Sequence, residues 1–376
     1  MARSTGCRQG GDIPPHTQKD GAFERRFPLV VKPCDNMGGR GCSRVDGEDA
    51  LKAAVADAVR YSRTRQAIVE EYMDGPEFSV DAIVHNGVLR ECGFADRHIF
   101  FPPYFVEMGH TMPSNVDEAA KRELMRCFEA GVKALGLTEG AAKGDLKLTG
   151  KGPMIGEIAA RLSGGYMSGW TFPYASGFEV TRAAIEIAMG IEPVFPARFN
   201  GWTSAERAVI SIPGTVRSIM GADEAAAMPG VRNVFMRAAP GDKVVFPRNN
   251  VEKCGNVISA ARDRDEAVRM AVNAANAILI RLEPGNGETE AFLAGEGETS
   301  VPGGERDEEA FPPPAIRRWE DGVERDFTGR TMEEVLSVIK TITGRSVPKS
   351  SRFMDAVTRG GYQGGVYYLD THKDSQ

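Results

Sequence analysis

An α+β fold is predicted for this chain, and three observations carry the prediction. Short apolar runs end repeatedly at Gly, Pro or Asn-Gly turns, as strands joined by tight connections do. Two stretches, 48–63 and 116–135, have helical spacing: Leu51, Val55, Ala58 and Val59 in the first, Leu124, Cys127, Phe128, Val132 and Leu135 in the second. The third is 144–165, where G-D-L-K-L-T, a Gly-Lys-Gly turn and P-M-I-G-E-I-A-A-R-L-S-G-G read as a β-hairpin.

That hairpin is the chemical centre of the sequence. On adjacent antiparallel strands Asp145 and Glu157 can face the same side, so two carboxylates converge without help from a distant loop. Such a pair suits Mg²⁺, a hard cation that takes oxygen ligands and keeps positions open for phosphate. Arg161 follows four residues on, before a Ser-Gly-Gly turn whose bare backbone can approach an anion. A surface hairpin with two solvated acids is the plain alternative.

Composition narrows the function classes. With 376 residues, 41% of them hydrophobic, the chain can bury one large core or two to three smaller ones. A net charge of −6 and no basic stripe argue against nucleic acid as a partner. No apolar run approaches ~18 residues, so no membrane span is expected. Six cysteines without a C-x-x-C pair indicate neither a disulfide framework nor zinc, and a reducing cytoplasm is the expected location.

In chain order, residues 1–26 lack a period and are expected to form a flexible lead-in. Residues 27–33 make a strand ending in Lys32 and Pro33, followed by a loop with Gly38, Gly39 and Gly41. A lysine at the root of a glycine loop can cradle phosphate, although such loops are often only turns, and the Walker spacing is absent. The helix at 48–63 follows, then a strand at 67–73 containing Glu70 and Met73, and an acidic turn with Glu77. Residues 95–114 mix aromatics and prolines with Arg97, Glu107 and His110, as a pocket wall does. Tyr166, Trp170, Phe172 and Tyr174 are candidates for a second pocket wall or for core packing.

In this order the motifs V-V-K-P plus glycine loop, E-E-Y-M-D-G-P-E-F-S-V-D, and G-D-L-K-L-T with G-E-I-A-A-R-L-S-G-G resemble the ATP-grasp carboxylate–amine ligases over roughly residues 27–283. The F-V-E-x-G-H segment resembles the L-amino acid ligase branch. The resemblance implies an ATP-grasp fold, two α+β lobes gripping ATP, with a small C-terminal lobe and an appended tail. It implies lobes at 27–92 and 93–203 and a small lobe at 204–283. Beyond it, composition marks 284–314 as an acidic linker, and 315–376 is expected to form a small appendage with a helix near 332–343 and a glycine-rich strand ending at Leu369. The resemblance assigns Lys32 to the phosphates or the adenine ring edge, with the glycine loop (Gly38, Gly39, Gly41) at the phosphates, the backbone around Glu70 and Met73 to the adenine edge, Glu77 to the ribose, and Asp145 and Glu157 to Mg²⁺. Glu107 and His110 then face the substrate, and Arg161 stabilises an oxyanion together with the Ser163-Gly164-Gly165 backbone. The implied reaction is ADP-forming amide synthesis from a small carboxylate and an amine through an acyl phosphate.

Two departures from the pattern stand out. Relatives usually carry a whole domain and a second nucleotide lysine ahead of the strand bearing Lys32, whereas here only Lys19 precedes it. The expectations are a truncated copy, a homo-oligomer or partner chain that supplies the missing wall, or a degenerate nucleotide-binding or regulatory subunit. The other departure is Ala159, where many relatives place a metal-binding Asn; the amino-acid ligase branch lacks that Asn too.

Overall fold

The computed structural model describes residues 26–296, 311–319 and 321–372; the lead-in at 1–25, with Lys19, and residues 297–310 of the expected linker lie outside these. β1 (Leu29–Pro33) buries Leu29, Val31 and Pro33 alternately. It pairs antiparallel with β2 (Ser43–Val45) and, on its other side, with the strand that follows α1 (Glu48–Tyr61), β3 (Ala67–Glu71). α1 covers this small sheet with Ala50 and Ala58, and ends at Ser62, whose N–H bonds to the Ala58 carbonyl.

Next come β4 (Glu77–His85), β5 (Val88–Phe100), β6 (Val106–Met112), α2 (Glu118–Ala134), β7 (Gly140–Thr149) and β8 (Gly152–Ala159). The β4–β5 turn is the expected Asn86-Gly87, with φ of +51° and +72°, the left-handed pair that matches the twist of a two-residue hairpin. Asp117 caps α2 by accepting from the Ala119 and Ala120 amides, and Leu124, Phe128 and Val132 then face β7 and β8. Gly144 lets this helix close in: a Cβ there would lie 2.5 Å from the Phe128 ring.

A π-helical turn, Met167–Thr171, precedes α3 (Phe172–Ser176) and α4 (Val180–Ala188). The chain continues with β9 (Thr203–Val209), β10 (Gly214–Met220), α5 (Ala222–Ala227), β11 (Val231–Met236), β12 (Lys243–Val244), β13 (Gly255–Ala261), α6 (Arg264–Ala277) and β14 (Leu279–Leu282). It closes with α7 (Gly287–Ala294), β15 (Arg317–Arg318), β16 (Glu324–Arg325), α8 (Met332–Thr343) and α9 (Ser351–Thr371).

The central layer is one antiparallel sheet in the order β11-β13-β9-β6-β5-β4-β7-β8. Residues 204–283 divide their strands between this sheet and a smaller one. β9, β11 and β13 extend the central one because β9 pairs with β6 through Gly109↔Arg207 to Met112↔Ser204; only β12, β10 and β14 form a smaller sheet apart. The expected linker at 284–314 contains α7, which Asn286 caps and whose Leu293 joins the core under α9. The tail's glycine-rich run, expected as a strand ending at Leu369, is helical. Gly360, Gly364 and Gly365 press against Leu293, Ala356 and Ile339 at distances that admit no Cβ, and the helix kinks at Gly361, φ +59°.

Candidate active site

The hairpin delivers its two carboxylates together. Asp145 and Glu157 are direct partners across β7 and β8, beside a register shift. Both line a cleft of about 660 Å³ whose opposite wall carries Lys32 and the glycine loop. Asp145 is buried, while the Glu157 side chain is half exposed. Lys143 Nζ lies between them, 3.3 Å from Glu157 and in closer contact with Asp145. Ser79 donates to the other oxygen of Asp145 at 3.0 Å, and Arg97 is 3.2 Å away. Burial would raise the Asp145 pKa, but Arg97 and Lys143 outweigh it and hold the carboxyl below the usual range. Among the described residues no three His, Cys, Asp or Glu side chains converge on one point, so a metal here would have two carboxylate ligands. That donor set fits Mg²⁺, which completes its shell with phosphate oxygens and water.

The opposite wall is built from β1, β3 and the glycine loop. Lys32 pairs with Glu70 at 2.6 Å and donates to the Gly156 carbonyl at 3.2 Å, linking the two walls. Gly38 and Gly39, at φ +72° and +76°, line the cleft. Gly41 does not: a Cβ there would meet Tyr61, Pro33 and Ala58, so it lets the loop pack on α1. The Met73 carbonyl accepts from Lys147 at 3.0 Å, and Glu77 faces Arg97 and, at 3.4 Å, Lys147.

Glu107 and His110 lie behind this wall. Glu107 takes Arg97 Nε at 2.9 Å, and Lys253 donates to its carbonyl at 2.8 Å. His110 is 1% exposed; its Nδ1 meets Glu206 at 2.8 Å, while Nε2 has no hydrogen-bond partner and stands 3.5 Å from Glu107. Burial pulls the imidazole pKa down, but Glu107 and Glu206 overcome it and raise it to about 9. The charged imidazolium is thus favoured at neutral pH, and neither His110 nor Glu107, both expected to face the substrate, lines the cleft. Arg161 is half exposed on the cleft wall, 3.8 Å from Glu157 and donating to Leu162. The Ser163 amide, expected to face an oxyanion, donates instead to Asp81 at 2.9 Å. Tyr166 stacks on Phe235 and Trp170 meets it edge-on, Phe172 is buried, and Tyr174 bonds Asn233; none of the four lines the cleft.

Several site residues went unassigned by the sequence reading. Lys143 and Lys147 flank Asp145 at alternate positions of β7, and that period of two was the available signal. Arg97, which touches Glu77, Glu107 and Asp145, stood unassigned in the pocket-wall segment. Glu206, Asn250 and Lys253 had no local signal.

Residues 25–169 match the ATP-grasp domain family, and 208–283 match the L-amino acid ligase C-terminal domain 2. The chain carries an ATP-grasp domain. Its fold is shared with the L-amino acid ligase of Bacillus licheniformis, at a TM-score of 0.63 and 21% identity over 70% of this chain and 66% of that one. In sequence it is 25% identical over 269 residues to the uncharacterized protein y4rH of Sinorhizobium fredii, covering 70% of this chain and 55% of the relative. It is 31% identical over 131 residues to chicken carnosine synthase 1, covering 35% of this chain and 14% of that protein. It is 32% identical over 129 residues to the D-alanine–D-alanine ligase of Ectopseudomonas mendocina, covering 33% and 40%. The chain thus spans about half the length of the rhizobial relative and less of the two enzymes. No described helix is long and apolar enough to cross a membrane, and none of the residues that line the cleft comes from the tail beyond 296.

Proposed function

We propose that the chain is an ATP-dependent, ADP-forming carboxylate–amine ligase acting on amino-acid-like substrates through an acyl phosphate. One observation carries this reading: Asp145 and Glu157 are paired across one hairpin and face Lys32 and the glycine loop in a single cleft. The relatives named as ligases each join an amino acid or a close analogue, which supports the substrate class. Asp145 and Glu157 would hold Mg²⁺, and bound there the ion neutralises the triphosphate.

In the first step an oxygen of the substrate carboxylate bonds to the γ-phosphorus and the β–γ bridging bond breaks, releasing ADP. The amine then attacks the acyl carbon, phosphate leaves, and the nitrogen loses a proton. Lys32 and the Gly38-Gly39 backbone hold the phosphates, Glu77 the ribose, and the backbone near Glu70 and Met73 the adenine. Arg161, with its guanidinium at the cleft wall, stabilises charge that develops on the acyl oxygen. Glu107 acts through Arg97, and His110⁺ fixes Glu107, so proton acceptance from the amine falls to solvent or a substrate group. Five described cysteines are free thiols, which suits work in a reducing cytoplasm.

Phosphate release from ATP and Mg²⁺ across a panel of amino-acid pairs tests the proposal. Release that needs both substrates and disappears in Glu157→Gln is the expected result. Nucleotide binding without turnover for any pair would favour the degenerate regulatory subunit instead.

A further inference from the structure

The segment from 311 to 372 lies beyond both matched family domains, yet two of its aromatic side chains join the hydrophobic cluster formed by Phe101, Val106 and Phe246. Phe311 packs on Tyr104, with ring centroids 4.7 Å apart, and on Phe246 at 5.7 Å. Phe327 packs on Phe101 at 5.2 Å and on Phe246 at 5.4 Å. Phe101 and Tyr104 belong to the β5–β6 connection, and Phe246 to the run between β12 and β13.

Those two runs hold the glycine loop. From the first, the Pro103 carbonyl accepts the Arg44 amide at 2.7 Å, and the Phe105 carbonyl lies 3.5 Å from where a Cβ on Gly39 would stand. From the second, the Asn250 amide donates to the Gly38 carbonyl at 2.8 Å, and its side chain accepts the Glu107 amide at 2.8 Å. Phe105 and Asn250 themselves line the cleft. Phe101 is 2% exposed at φ +67°, a conformation that a bulky aromatic keeps only where its surroundings overdetermine it. Phe246 and Phe327, both set at steep angles to its ring, are those surroundings.

The tail is itself tied to the body. Gln363 accepts the Ile212 amide at 3.0 Å and donates to the Ile280 carbonyl at 2.7 Å; Asp370 pairs with Arg281, and Asn276 donates to the Thr328 carbonyl at 3.0 Å.

We infer that residues 311–372 are a working part of the nucleotide site: Phe311 and Phe327 position the 100–106 and 245–250 runs, and through them the glycine loop. The inference rests on reading the cleft as the ATP site. Phe327 and Phe311 are positioning residues, since neither lines the cleft.

The test compares Phe327→Ala, Phe327→Leu and, as a control at a buried apolar position of the same tail, Val335→Ala, all in the full chain. In Phe327→Ala the KM for ATP is expected to rise about tenfold or more, as small misplacements of binding groups do, with kcat within about twofold. Phe327→Leu should recover most of the loss. Amide exchange at residues 39–46 should quicken in Phe327→Ala and stay unchanged in Val335→Ala. Unchanged exchange and nucleotide affinity in folded Phe327→Ala or, should that variant not fold, in Phe327→Leu would overturn the inference, and so would an equal effect in Val335→Ala. If the wild type binds no MgATP, the ligase reading falls, and the exchange data still decide whether the tail positions the loop.

Discussion

The cleft wall and the layer behind it contain the same kinds of charge in opposite states. On the wall, Lys32, Glu70 and Glu157 are partly open to solvent, with Lys143 buried behind Glu157. A ligand's phosphates can take over the lysines there, because the displaced carboxylate stays hydrated or takes a metal. Behind the wall, Glu107, His110, Glu206 and Asn256 form a closed chain, with Glu206 fully buried and accepting from Asn256 at 2.6 Å. A buried charge that loses its partner has no water to turn to, so this layer holds its geometry. Arg97 belongs to both, touching Glu107 on one side and Glu77 and Asp145 on the other. Exchangeable charges thus sit on a fixed charged support, an arrangement that suits phosphoryl transfer, where positioning and electrostatics carry most of the rate.

The strongest way to break this contrast is to remove a carboxylate from the wall. Asp145→Asn should lower ligase turnover by about 10²- to 10³-fold, the usual scale for losing one electrostatic stabiliser, while the protein stays folded; initial rates together with a thermal melt measure both. EDTA should reproduce the loss in the wild type, and excess Mg²⁺ should reverse it.

The next effect belongs to the layer behind. His110 has its pKa raised from 6.5 to about 9 by Glu107 and Glu206 against the pull of burial, so its charged form stabilises the folded state. That contribution is complete below the ordinary imidazole value near 6.5 and is lost as pH rises through about 9. Wild-type stability should therefore decline over that window. Glu206→Gln should cost on the order of 3 kcal/mol near neutral pH, the scale for a broken buried pair, and should flatten the decline. Denaturant midpoints at several pH values would show it.

A smaller change is expected from Lys32→Ala. The KM for ATP should rise about tenfold, on the order of 1.4 kcal/mol, with stability altered by ~1 kcal/mol or less because the Lys32–Glu70 pair is only partly buried. The smallest belongs to Lys151→Ala at the hairpin turn: its pair with Glu71 is exposed on both sides and should matter neither to stability nor to rate. A large loss there would show that the hairpin tip contributes more than solvated charge.

Much of the wall was legible in the sequence because its residues are local to one another. Asp145 and Glu157 face each other since a short turn fixes the register of the hairpin, and Lys32 leads directly into the glycine loop. Glu107 and His110 were recognisable as a pair three residues apart, but their partners were not. Glu206 is 96 residues from His110 and Lys253 is 146 from Glu107, and only the pairing of β6 with β9, then of β9 with β13, brings them together. The tail was misread as a strand because its glycines suggested extended backbone, when they serve close helix packing against Leu293, Ala356 and Ile339.

By itself, then, the sequence determined the hairpin, its Asp145–Glu157 pair and the lysine-rooted glycine loop, since turn chemistry and the two-residue period of strands act over a few residues. Tertiary structure alone decided that His110 meets Glu107 and Glu206 in the interior, that Gly41 serves α1, and that Phe311 and Phe327 pack on Phe101, Tyr104 and Phe246. Those outcomes depend on which distant side chains share a dry interior, and burial sets the strength of every charge and ring contact there.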